Sequence, residues 1–241
     1  MTTIANHNAL WCISIAALLL TSAACSGTQS PRSTDPAPAQ PARADRIPAA
    51  DRPPASLLEV GDLATDLCDA AWWSDWRRAD EGLQLLNEAA PELGVDLPKP
   101  ELVAQLQANV ASVTEGTNTR QRIKAMAAAN AITQIVAELS AQYEPAVPYD
   151  VNMLGYYGRQ IELGIASGRS MDSIQAVTDL ATVWDRVQPA IVRRGYARDA
   201  RRFSDLVVEL MAGKQPDDFV APVRAELAAA SRLERIFTSP Q

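Results

Sequence analysis

From residue 57 onward, apolar side chains recur at steps of three and four residues, and no alternating pattern competes with them. Such spacing gathers the apolar groups on one face of a helix, so the chain must bury helix faces against one another. Leu57, Val60, Ala64, Leu67 and Ala71 outline a first helix. Ala79, Leu83, Leu86, Ala90 and Leu93 outline a second, which Gly94 is placed to stop in a left-handed conformation. Val103, Leu106, Val110 and Val113 make a third, opened after "LPKP" and closed near "TEGTNT". A fourth spans about 119–143, with Ile123, Met126, Ile132, Val136 and Leu139.

"EPAVPYD" interrupts the pattern, which then begins again. Leu154, Ile161 and Ile165 share one helix. Ile174, Val177, Ala181, Trp184, Val187 and Ile191 share the next, ended by Gly195. Phe203, Leu206 and Leu210 mark a seventh, and Val220, Val223, Leu227, Leu233 and Ile236 an eighth. The two runs align at offsets of about 94 to 101 residues: Leu67 with Ile161, Leu83 with Val177, Leu86 with Leu180, Leu106 with Leu206. A period of that length is a doubled supersecondary unit. The expected fold is all-α: two consecutive four-helix units related by internal duplication, residues 57–144 and 145–241, joined by short antiparallel connections.

Absences restrict the chemistry. The single histidine, His7, lies in the first 24 residues, which contain no Lys, Arg, Asp or Glu and carry the 16-residue apolar run "ALWCISIAALLLTSAA". That run is short for a membrane span and is placed like the core of an export signal. With residues 1–24 removed, no imidazole remains for Ser-His-Asp or Cys-His catalysis or for His-ligated metals. Cys12 leaves with the signal, and where Cys25 is acylated, as the resemblance described next implies, Cys68 stands alone. No internal disulfide and no thiolate cage is then expected, and Cys68 reads as a small buried residue. No cofactor is implied. Residues 57–241 hold 18 basic and 26 acidic groups. That balance argues against nucleic acid as a partner, because phosphate neutralisation needs a basic surface.

"TSAAC" resembles the lipobox of bacterial lipoproteins, although Ser22 stands where that family prefers Leu. The resemblance implies cleavage before Cys25, diacylation of its sulfur, and a lipid-anchored protein of the cell envelope. With Ser26 at the next position it implies the periplasmic side of an outer membrane, where the host has one. The alternative is an ordinary secretory signal cleaved nearby. Residues 25–56 then form the anchor and linker. Residues 26–56 hold seven prolines and seven alanines with no apolar period, and are expected to make an uncored tether reaching on the order of 95 Å at most.

"YEPAVPYDVNMLGYYGRQIELGIASG" at residues 143–168, with "ANAITQIVAEL" before it and "RLERIF" near the end, resembles a group of bacterial extracytoplasmic helical proteins without an established activity. That likeness covers about residues 62–237.

Candidate binding residues follow from chemistry. "WWSDW" puts Trp72 and Trp73 at a helix end and Trp76 at the next start, with Ser74 or Asp75 as the intervening N-cap. Trp73 is the one suited to stacking on a ligand, whereas packing alone explains the other two. Asp150 suits an N-cap after the proline-rich break. Tyr156, Tyr157 and Arg159 share the following helix, with Glu162 near enough to pair with Arg159. Asn130 aligns with Leu227 and reads as a buried polar group in need of partners. These residues either tie the halves together or form a polar seam that holds a ligand. Glu138, Glu144, Asp150 and Glu162 supply oxygens for a cation, without EF-hand spacing. "RRGYARDARR" concentrates arginines but is interrupted by Asp199. The expectation is a non-enzymatic binding or scaffolding module with a membrane contact through Cys25 and an envelope protein or small ligand as partner. The alternatives are a solute or metal-cation binder using the seam and, third, a carboxylate-based hydrolase.

Overall fold

The computed structural model describes residues 52–93 and 97–238. The stretch expected to be an export signal, Cys25, most of the expected tether and the expected cap at Gly94 lie outside the described residues. Among those described, eight α-helices account for nearly the whole chain: α1 Ala55–Trp73, α2 Trp76–Ala89, α3 Pro100–Asn118, α4 Arg122–Ser140, α5 Tyr149–Ala166, α6 Ser170–Arg193, α7 Ala197–Ala212 and α8 Pro216–Thr238. No strand occurs among the described residues. None of these helices is long and apolar enough to cross a membrane.

Local chemistry sets the boundaries. Asp75 accepts the Arg78 amide at 3.2 Å and caps α2, while Ser74 adopts φ 57° and closes α1. Pro100 opens α3, where its missing N–H removes nothing the first turn would use. Gly195, at φ 90°, turns the chain from α6 into α7. The proposed cap at Asp150 is corrected: Pro148 precedes α5 without a side-chain cap bond, and Asp150 lies inside the first turn. There its carboxylate takes two hydrogen bonds from Arg186, at 2.8 and 3.1 Å.

Each half of the helical chain packs in the same order. α1 lies against α2 and α4, and α3 against α4; α5 lies against α6 and α8, and α7 against α8. One apolar cluster gathers residues of α1 to α4, and a second gathers residues of α5 to α8. The clusters trade members. Ala137 of α4 belongs to the second, and Leu163 and Ala166 of α5 pack on the first. α5 also packs along α4 and touches α1, so α1, α4, α5 and α8 surround a common seam.

Several assigned faces turn out rotated. Ile123 and Ile174 are exposed, and Leu206 is only partly buried. The buried stripe of α7 is Phe203, Val207 and Leu210, which aligns with Leu106, Val110 and Val113 at one constant offset. In α8 the buried stripe runs Phe219, Val223, Glu226, Ala230 and Leu233. Leu227 borders the seam instead.

Candidate functional site

The seam is polar where helix seams are ordinarily apolar. Arg159, Glu162, Glu226 and Asn130 are all at least nine-tenths buried. Arg159 projects from α5, donates through Nη1 to its own Gly155 carbonyl at 3.1 Å, and holds Nε 3.6 Å from Asp69 Oδ1 on α1. Its ion-pair partner is therefore Asp69, in place of the expected Glu162. The Nε–H itself makes no hydrogen bond, and neither does Glu162 Oε2 nor either oxygen of Glu226. Buried ionisable groups left in this condition are costly in their charged form.

Their protonation follows. Burial pushes the Glu162 carboxyl up to about 7, helped by Asp69 and opposed by Arg159 and Arg224. Burial also lifts Glu226 well above the ordinary carboxylate range, against Arg159 and with Glu162 and Glu234 adding to the rise. Asp69 and Glu234 are raised by burial too, each partly offset by Arg159. Four carboxyls, Asp69, Glu162, Glu226 and Glu234, thus share the field of the Arg159 guanidinium. The helix backbone makes room for them at glycines. A Cβ at Gly158 would strike Glu226, and one at Gly155 would stand 3.2 Å from Arg159 Nη1 and 3.8 Å from Glu234 Oε1.

A cavity of about 170 Å³ opens on this seam, walled by Asp62 and Thr65 of α1, Ser140 of α4, Tyr156 and Arg159 of α5, and Glu234 of α8. Ser140 Oγ is buried and without a hydrogen-bond partner. Asn130 is buried on the α4 side of the seam. Its amide donates to the Tyr156 carbonyl at 3.1 Å and its oxygen accepts from Thr133 Oγ1 at 3.2 Å, joining α4 to α5. Tyr156 and Tyr157 meet edge to face at 5.1 Å, and Tyr156 alone borders the cavity.

The tryptophan corner belongs to the same junction. Trp73 is 65% exposed, and the Arg224 guanidinium of α8 lies 3.9 Å over its ring and 5.3 Å from Trp72. One face of the ring is thus taken by a cation from the other half, while the residue stays largely exposed. Trp76 carries Arg120, 5.4 Å from its ring.

The remaining candidates fall elsewhere. Asp150 pairs with Arg186, Glu138 accepts from Gln134, and no group of three or more acidic, His or Cys side chains suited to a metal exists among the described residues. Arg193, Arg194, Arg198, Arg201 and Arg202 are exposed, and Arg194 stacks over Phe237 at 4.4 Å. Cys68 is buried, its thiol 3.7 Å from the Met126 carbonyl, and burial pushes its pKa up to about 12.

Asp62, Asp69, Arg224, Glu226 and Glu234 were not singled out from sequence. Glu226 did carry a signal, since it interrupts the apolar series Phe219, Val223, Ala230, Leu233 at the helical step. The others lie at ordinary surface positions of their own helices. Compared with known protein families, curated proteins and solved structures, the chain matches no family model, no curated protein and no solved structure.

Proposed function

We propose that this chain is a lipid-anchored, non-enzymatic binding module of the bacterial cell envelope, with the polar seam of α1, α4, α5 and α8 as its ligand-binding element. One observation carries the reading: a cavity at the junction is lined by a held arginine, Arg159, together with carboxylates from two other helices, Asp62 and Glu234. Sites of this sort, concave with a few converging polar groups, are where small ligands bind. The lipobox-like "TSAAC" and the proline-rich stretch after it support an anchor at Cys25 with a tether, which would let the helices stand away from a membrane. The shared packing order of the two halves, with Leu57, Val60 and Leu67 aligned to the buried Val151, Leu154 and Ile161, supports a duplication. A duplicated unit would create the seam by its own fusion.

Two measurements test this. Cys25→Ala should move the protein from the membrane fraction to the soluble fraction or leave it unprocessed; unchanged partition removes the anchor. Crosslinking in intact cells, together with ligand screening of the purified chain, should return a specific neighbour or ligand, and a blank from both removes the binding role.

A second reading has one observation in its favour. Asp62 and Glu234 both face the cavity with carboxyl pKa values raised by burial and by neighbouring carboxylates. Such groups suit general acid–base work. Turnover of an envelope glycan, abolished by Glu234→Gln, would favour that reading over simple binding.

A further inference from the structure

We infer that the seam cavity recognises a small zwitterion, an amino acid or a compound of the same two-ended chemistry, with its carboxylate on Arg159 and its ammonium between Asp62 and Glu234. The inference rests on the seam being a ligand site, and it adds the chemical class.

The charges are sorted within one small space. Arg159 Nη1 and Glu234 Oε1 both lie over Gly155, 3.2 and 3.8 Å from where a Cβ would stand. Opposite charges therefore converge on a floor kept bare by the glycine. Arg159 is fixed in place by the Gly155 carbonyl, which takes one Nη1 proton, and by Asp69 beside Nε. Nη1, over the Gly155 floor, keeps a second N–H, and a carboxylate is the acceptor whose geometry matches a guanidinium. Ser140 lines the α4 wall, its hydroxyl buried behind the surface. Asp62 and Glu234 bring two carboxylates to the α1 and α8 walls, which suits an ammonium with three donors.

One-ended ligands fit less well. A simple anion would reach Arg159 only by facing Asp62 and Glu234, and a simple cation would face Arg159. Like-charge contacts of that kind are what discriminate between partners. A bare metal ion lacks the clustered ligands it needs among the described residues. The volume, about 170 Å³, lies below the ~300–1,000 Å³ typical of drug-sized ligands. It suits a compound of few heavy atoms.

The test uses the full chain and calorimetric titration with each standard amino acid in turn. Alanine, ethylamine and propionate, and leucine, isoamylamine and isocaproate, serve as matched sets that remove one charge at a time. At least one amino acid should bind, and its amine and acid counterparts should bind ~10-fold or more weakly. Asp62→Asn and Glu234→Gln should each weaken the amino acid by a similar factor. Gly155→Ala should abolish binding while the helix content is kept and the melting temperature does not fall, because alanine favours the helix and the new Cβ meets only the ends of the Arg159 and Glu234 side chains. An amine or an acid binding as tightly as its parent amino acid overturns the inference, as does undiminished binding by a folded Gly155→Ala protein. A folded chain that binds none of these probes overturns the ligand class alone. The membrane-partition and crosslinking results then still decide the broader reading.

Discussion

The Glu226 carboxylate fills the space that a side chain at residue 158 would need. A Cβ on Gly158 would land on Glu226 Oε2 and come within 2.6 Å of Leu227 Cδ2. α5 and α8 can therefore approach only because residue 158 has no side chain, and the gap is occupied by a wholly buried acid.

Gly158→Ala follows directly. By helix propensity alone alanine should stabilise α5 by about 1 kcal/mol. The clash with Glu226 and Leu227 opposes it, and overpacking of a closed interior costs about 1–3 kcal/mol. The expected net effect is a lower denaturant midpoint. A midpoint equal to or above that of the parent protein would show that the two helices part without cost.

Stability should fall as pH rises through the neutral range. The unfolded chain ionises Glu162 near ~4.3, whereas in the fold burial holds this carboxyl protonated until about 7. Its favourable contribution is complete below the unfolded value and is lost as pH climbs to the folded one. Between those limits Glu162 alone accounts for on the order of 2–3 kcal/mol, and Glu226, raised by burial as well, adds a loss of the same sign. Asp80 and Asp218 have depressed values, held down by Arg120 and by the Lys214 and Gln215 amides, and act in the opposite sense only in the acid range. Urea midpoints at pH 5 and pH 8 should differ in favour of pH 5, and Glu162→Gln should shrink the difference. Midpoints that rise toward pH 8 would mean the seam acids are ionised and paired.

These two cases separate what a single sequence reveals from what it hides. Eight helices were legible because each buries one stripe, and a stripe repeats along its own helix whatever lies opposite. Pro100, Asp75 and Gly195 were legible because caps and turns are local chemistry. Asn130, Arg159 and Glu162 were legible as polar groups on apolar faces. Asp69, Arg224 and Glu234 were not, because each becomes part of the seam only when α1 and α8 close on α5, a pairing no single helix encodes. The Asp150 cap failed for a local reason: Pro148 already sets the entry into α5, which frees that carboxylate for Arg186.

Trp73 and Arg224 should be coupled. A partly exposed cation over a tryptophan face contributes about 0.5–1 kcal/mol, and here it joins the end of α1 to α8. A double-mutant cycle with Trp73→Ala and Arg224→Ala should return a coupling energy of that size. Additive losses would reduce the stack to a chance proximity.

Cys68 should resist alkylation in the folded protein. Its thiol is buried and its pKa is pushed up to about 12, so the thiolate that reacts is scarce at neutral pH. Peptide mapping after iodoacetamide should find residue 68 modified only when denaturant is present. Labelling in native buffer would show that α1 and α4 open readily.

The exchange of Ala137 for Leu163 and Ala166 across the seam means that neither four-helix set is a finished object. Severing the backbone within "EPAVP" would leave two pieces that continue to grip each other, whereas either piece made alone would present a raw flank of acids, glycines and apolar groups with nothing to meet it. Inheritance of the two sets is thereby yoked: a change on one side of the join is judged by what already stands on the other.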